Sequence, residues 1–214
     1  MKMMDRDLAV LRELDRWRFA LSRQLRFLGG FPSQRTCDRR LKFLIDGKYI
    51  ERKHILYGVP GLYTVTHRGR MLIGSSGRAE KIKVDRIMHD ISIIDTVIYF
   101  HLKLGIPLAN ITSDKVLHRN DGFGVRKHRP DFIYKINNKV FAVEIELTPK
   151  AKERMLKVLQ KNFMAYDKQT WVVPNAGTKI RRVLQDNIST YPNIEVLSLE
   201  QVNEFVKQLG EKKA

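Results

Sequence analysis

The sequence predicts an α/β protein, α+β overall, with two domains at 1–76 and 77–214, and three observations lead to that division. Residues 5–74 run as three helix-forming stretches, one hairpin signature and a short further helix. Beyond them the predicted order is αβββαβαβα, an alternation that builds a mixed sheet with helices packed on it. Between the two lies Gly74-Ser75-Ser76-Gly77, the one low-complexity stretch of the 214 residues.

In the N-terminal part, Asp7 is expected to cap a helix reaching about Phe19, with Leu8, Leu11, Leu14 and Trp17 on its inward stripe. Ser22 is expected to cap a short helix ending at Gly29-Gly30, and Ser33 a third that stops at Gly47. Two β-prone runs, YIERKHILY and LYTVT, flank a Gly/Pro turn and predict a hairpin, and Thr66 opens the short helix after it.

The C-terminal part begins with a helix expected from Ala79 to about Leu104, carrying Ile87, Ile91, Ile94, Val97 and Ile98. Thr112–His118 is expected as a strand, followed by the basic loop HRNDGFGVRKH. DFIYKI and KVFAVEIELT form a hairpin about Asn137-Asn138. A helix opened by Pro149 and ending at Tyr166, the strand TWVVP, a helix over 178–188, the strand IEVLSL and a closing helix complete the chain.

Forty Lys and Arg against 23 Asp and Glu give a formal charge of +17, so a polyanion is the expected partner. The excess is densest in residues 1–79, with 17 basic and 7 acidic side chains, and arginine supplies most of it there. A guanidinium fork suits phosphates and guanine edges, which favours nucleic acid over an anionic membrane. The single Cys37 excludes an intrachain disulfide, no apolar run approaches the length of a membrane span, and the first residues lack a signal peptide's apolar stretch. A cytoplasmic protein with no membrane partner is expected. No zinc-ligand spacing, phosphate-binding glycine loop or nucleophile elbow is present.

Helix, short helix, turn, helix and hairpin over residues 5–74 resemble the winged helix-turn-helix superfold. The resemblance implies double-stranded DNA as partner, with Gln34, Arg35, Thr36, Arg39 and Arg40 of the third helix in the major groove and Lys42 near phosphate. Leu41, Phe43 or Leu44, and Ile45 would face inward. Arg52, Lys53 and His54 on the wing would touch phosphates or the minor groove. A solvated basic face is the bland alternative.

In the hairpin, a two-residue turn at Asn137-Asn138 pairs positions whose numbers sum to 275, so Asp131 faces Glu144. Period-two alternation adds Glu146 to that face and places Phe132, Tyr134, Phe141, Val143 and Ile145 on the other. Facing carboxylates repel. Either a divalent cation such as Mg²⁺ compensates Asp131, Glu144 and Glu146, or Arg129, Lys127 or Lys150 does. Arg119, Arg126, Lys127 and Arg129 in the basic loop, with His118 and His128, would clamp a phosphate backbone or simply form a mobile loop. His89 is read either as a metal ligand or general base beside Asp90, or as a core histidine.

Pro130-Asp131 followed by Glu144-Ile145-Glu146 resembles the PD-(D/E)xK nuclease superfamily, and the αβββαβ order agrees with that restriction-endonuclease-like core. The resemblance implies catalytic, metal-binding roles for Asp131, Glu144 and Glu146, with Asp90 or Asp95 as a further acid. Glu146 stands where the motif has its lysine.

Taken together, HDISIID (89–95), RPD (129–131) and FAVEIELTPKAKERMLKVLQKNFMAY (141–166) resemble the replication-relaxation family of plasmids and integrative elements in Gram-positive bacteria. That family also carries an N-terminal winged helix, and the likeness spans roughly 5–175. It implies a DNA-binding protein acting at an origin-type site in replication, relaxation or conjugative mobilisation. Relaxase or replication proteins and a second copy of the chain are the implied partners. The alternatives are a Mg²⁺-dependent endonuclease and a winged-helix transcription regulator.

Overall fold

The computed structural model describes residues 2–75, 81–119, 121 and 127–211. It is a mixed α+β chain with two sheets, one of two strands and one of five. The packing divides into two compact units, the first running to Ile98 and taking in the chain from Lys207, the second being Tyr99–Val206. The expected boundary at 76/77 lies within residues 76–80, outside the described residues.

In the first unit, α1 (Asp5–Trp17), α2 (Ser22–Leu28) and α3 (Gln34–Asp46) precede β1 (Ile50–Lys53), β2 (Leu62–Val65) and α4 (His67–Leu72). Ser33 and Thr66 cap α3 and α4 as their positions predict, accepting from Thr36 N and Gly69 N. The first helix starts earlier than expected. Met4 occupies its cap position, and Asp7, three residues on, accepts from the Met4 N–H at 2.8 Å. The start of α2 is closed in the same reciprocal way by Gln24, which accepts from Leu21 N, so Ser22 is freed from capping.

The strands β1 and β2 pair antiparallel from Ile50 with Val65 to Lys53 with Leu62. Gly69 lets α4 lie against the chain entering β1: a Cβ there would meet the Tyr49 carbonyl oxygen at 2.2 Å. One cluster of Phe19, Leu21 and Leu62 buries Ile87 and Ile91 of α5 (Ile87–Leu102), which explains why this helix begins within the first unit. Asp95 of α5, 4% exposed, accepts a two-pronged bond from Arg23 (2.6 and 2.7 Å) and one from Gln24 (2.8 Å).

The second unit holds β3 (Ile111–Ser113), α6 (Asp114–Arg119), β4 (Phe132–Ile136), β5 (Lys139–Ile145), α7 (Lys152–Ala165), β6 (Lys168–Val173), α8 (Thr178–Asp186), β7 (Ile194–Ser198) and the larger part of α9 (Leu199–Glu211). The strands lie in the order β3-β4-β5-β6-β7. The first three form an antiparallel meander, and helical crossovers make β5, β6 and β7 parallel.

Asn137 and Asn138 both take positive φ, 47° and 64°, as a tight mirror-image turn requires. The register is the expected one, Phe132 with Val143 through Ile136 with Lys139. Both faces of the sheet are covered. Met155 and Leu159 of α7 and Ile180 and Leu184 of α8 pack on Trp171 and Val173, while Phe100 meets Phe132 and Tyr134 edge-on across the other face.

The strand expected over 112–118 stops after Ser113. The Ser113 hydroxyl accepts from Val116 N at 3.4 Å and Asp114 enters a first helical turn, so capping chemistry overrides the β-prone composition. The helix expected from Pro149 starts only at Lys152, behind Ala151. No helix among the described residues is long and apolar enough to cross a membrane.

Candidate functional site

Two groups of residues carry the chemistry, one in each unit. In the first, α3 buries Cys37, Leu41 and Leu44 and exposes Arg35, Asp38, Arg39 and Lys42. Arg35, Arg39 and Lys42 therefore share the outward side, with one carboxylate among them. Gln34 and Thr36 are half-buried and occupied locally: Gln34 donates to Ser22 Oγ (2.6 Å) and to Asp38 (2.8 Å), and Thr36 is bonded to the capping Ser33.

Arg40, expected on the outward face, points inward. It is 6% exposed and forms a forked pair with the fully buried Asp7, Nε donating at 2.9 Å and Nη2 to the second oxygen. Nη2 also donates to the Lys2 carbonyl, and the guanidinium lies 4.5 Å from the Phe43 ring centre. A guanidinium with all these partners is a structural tie between α1 and α3. Beside it, Met4, Arg6, Phe31, Thr36 and Arg39 help to line a cavity of about 430 Å³. Arg6 was not foreseen, because nothing in its own stretch of sequence says that the start of α1 lies next to α3.

On the hairpin of this unit Arg52, Lys53 and His54 are exposed. Arg52 sits over the Tyr63 ring, and Lys53 is paired with Glu51 at 2.6 Å. That lysine and Thr64 hold the Glu51 carboxyl below its ordinary range, the lysine bond being the larger cause.

In the second unit the structure brings Asp131 and Glu144 together and buries both Glu144, against Asn162 of α7, and Glu146, at 8% and 4% exposure. Asp131 accepts from Ile145 N at 2.7 Å. Glu144 Oε1 lies 2.9 Å from His128 Nε2 and accepts from Asn162 Nδ2 at 3.0 Å. Glu146 is paired with Lys150. Of the three bases offered as compensators, Lys150 is the one found on a glutamate, and His128 takes the other. Burial pushes the Glu144 carboxyl up and Asp131 adds to this, while the His128 bond opposes it.

Arg129 is directed elsewhere, with Nε and Nη2 on Asp121, and His128's neighbour Lys127 is exposed. The Arg129 bond is the main reason that the Asp121 carboxyl is held down. His118 Nδ1 also meets Asp121, at 3.1 Å. Arg126 lies outside the described residues. The two further acids are committed to neighbours: Asp95 to Arg23 and Gln24, and Asp90 to Arg86 (3.8 Å) and His89 (3.4 Å). Among the described residues no group of three His, Cys, Asp or Glu side chains is set to hold a metal ion. His128 and Asn162 both engage Glu144 Oε1, and Lys150 engages Glu146 Oε2.

No family model and no curated protein matches the chain. Among solved structures it is similar to the crystal structure of protein VC1899 from Vibrio cholerae, at 11% sequence identity and a TM-score of 0.37. The match covers 100% of this chain and 57% of that one, so the chain spans little more than half of that protein.

Proposed function

We propose that this chain is a double-stranded DNA-binding protein whose first unit acts as a winged helix-turn-helix, with α2 and α3 as the helix pair and β1–β2 as the wing. The observation that carries the reading is the outward side of α3. Arg35, Arg39 and Lys42 are exposed there, while Cys37, Leu41 and Leu44 anchor the opposite side. A rigidly backed helix that offers two guanidinium forks is suited to phosphate and guanine contacts in a major groove. Arg40 belongs to the scaffold in this reading, and Lys53, already paired with Glu51, contributes less than Arg52. The resemblance to the replication-relaxation family supports an origin-type site on a plasmid or other mobile element as the target. Relaxase or replication proteins, and a second copy of the chain, are the partners it suggests.

Binding of fluorescent duplex DNA, selected from a random pool and titrated with salt, tests this. Arg39→Ala is expected to cost about 1–3 kcal/mol and relax sequence preference if it reads a base. If it lies on phosphate, it is expected to lower the salt slope by about one. Unchanged affinity, preference and salt slope in Arg35→Ala/Arg39→Ala would remove α3 from the reading.

A second reading, a Mg²⁺-dependent endonuclease with a nuclease-like second unit, is favoured by one observation. Lys150 reaches Glu146, so a lysine ammonium lies in space at the residue that stands where the linear motif has its lysine. Incubation of supercoiled plasmid with and without Mg²⁺ or Mn²⁺ separates the two. Nicking that needs both metal and Asp131 establishes the enzyme; intact plasmid with its bound site occupied leaves a binding platform.

A further inference from the structure

Lys127, His128 and Arg129 enter β4 as three consecutive basic residues, and the last turn of α7 with Tyr166 stands opposite them. Between the two segments is an open cavity of about 560 Å³, whose lining also includes Lys161, Asn162 and Met164. That volume is in the range of small-ligand sites. It lies wholly within the second unit.

Two of its basic walls are fixed from behind by carboxylates. Arg129 is held by Asp121, and His128 is bonded through Nε2 to the buried Glu144. Tyr166 is set beside Arg129, whose nearby charge partly offsets the upward push of burial on the phenol. These pairs are close to neutral, so the net charge is decided by Lys127 and Lys161, both exposed and neither paired with an acid among the described residues. About two positive charges outweigh the roughly half negative charge of the nearby end of α7. An anion is favoured.

The rest of the lining is not that of a bare anion site. The methyl and thioether groups of Ala165 and Met164 and the Tyr166 ring form an apolar, partly aromatic wall suited to a flat base. Asn162, fully buried, gives its Nδ2 to Glu144 and leaves Oδ1 with no donor among the described residues. That amide, closed off from solvent, ties the helix wall of the cavity to β5.

We propose that this cavity binds a nucleoside monophosphate unit, its phosphate between Lys127 and Lys161 and its base against Met164 and Tyr166. The unit is either a free nucleotide or the phosphorylated end of a DNA strand. The assignment does not depend on α3.

Calorimetric titration of the full chain with dAMP, inorganic phosphate, deoxyadenosine and a tetranucleotide with a 5′-phosphate or 5′-hydroxyl tests it. Saturable dAMP binding is expected, about tenfold tighter than phosphate or deoxyadenosine and about tenfold weaker in Lys127→Ala/Lys161→Ala. Both lysines are exposed, so that variant is expected to keep its circular dichroism spectrum. Absence of saturable dAMP binding, equal binding of phosphate alone, or unchanged binding in the double variant overturns the assignment. Loss of dAMP binding in Arg39→Ala does so too, because the nucleotide would then sit on α3. Tighter binding of the 5′-phosphorylated tetranucleotide than of dAMP supports the site as a strand-end pocket, and weaker binding supports it as one for the free nucleotide.

Discussion

Replacing Arg40 by methionine separates a scaffold residue from a DNA contact on the same helix. Asp7 is fully buried and receives both prongs of Arg40, so the single change leaves a buried carboxylate with only the Met4 N–H as its described donor. Breaking a buried pair from one side costs about 3–5 kcal/mol. Replacing both partners, as Asp7→Leu/Arg40→Met, removes the stranded charge. What remains is the loss of the Met4 bond, about 1 kcal/mol, of the bond to the Lys2 carbonyl, about 0.5 kcal/mol at that exposed residue, and of the guanidinium's contact with Phe43, about 0.5–1 kcal/mol. The double variant is therefore expected within about 2.5 kcal/mol of wild type and above either single variant. Urea unfolding followed by Trp17 fluorescence, in a Trp171→Phe background, reports on the first unit. Once folded, the double variant is expected to bind DNA like wild type, whereas Arg39→Ala keeps stability and loses binding. The reasoning fails if Arg40→Met costs less than about 1 kcal/mol, or if the double variant is as unstable as the two singles combined.

Glu144 gives a prediction with a definite sign. Its carboxyl is raised in the folded chain by burial and by Asp131, so its contribution to stability is fully present below the unfolded value and is lost as pH rises through the folded one. Glu144→Gln is therefore expected to gain on wild type as pH is raised from about 4, with the difference levelling off above the folded value; a difference independent of pH would contradict it. Gly69→Ala drives a methyl group into the Tyr49 carbonyl and is expected to cost about 1–3 kcal/mol in thermal unfolding, and a neutral result would show that α4 shifts freely from β1.

Periodicity and turn chemistry made most elements legible before the structure. Ser33, Thr66 and the Asn137-Asn138 turn act through neighbours a few residues away, and each does what its local sequence predicts. What was not legible depends on partners distant in sequence. Arg40 lies among outward-facing arginines on α3, and only Asp7, 33 residues earlier, turns it inward. Alternation puts the acids on the face opposite Phe132 and Val143, but it does not say that α7 covers that face too and buries Glu144. His128 and Asn162 reach Glu144 from a loop and a helix, so no motif spacing registers them. At 112–118 the reason is local: Ser113-Asp114 is a cap signal, and capping prevails over the β-branched residues around it.

The Asn137-Asn138 turn bears on a chemistry that it never touches. It is roughly 20 Å of strand from Glu144, yet it sets the phase of everything downstream on β5. Adding or removing one residue there, with β4 unchanged, would turn Glu144 towards Phe100 and bring Val143 or Ile145 beneath α7. His128 and Asn162 would then face a hydrocarbon, and Phe132 a buried charge. Length at this turn is consequently constrained more tightly than its exposure suggests. A family of such proteins should vary the two residues among those that tolerate positive φ while keeping their number fixed.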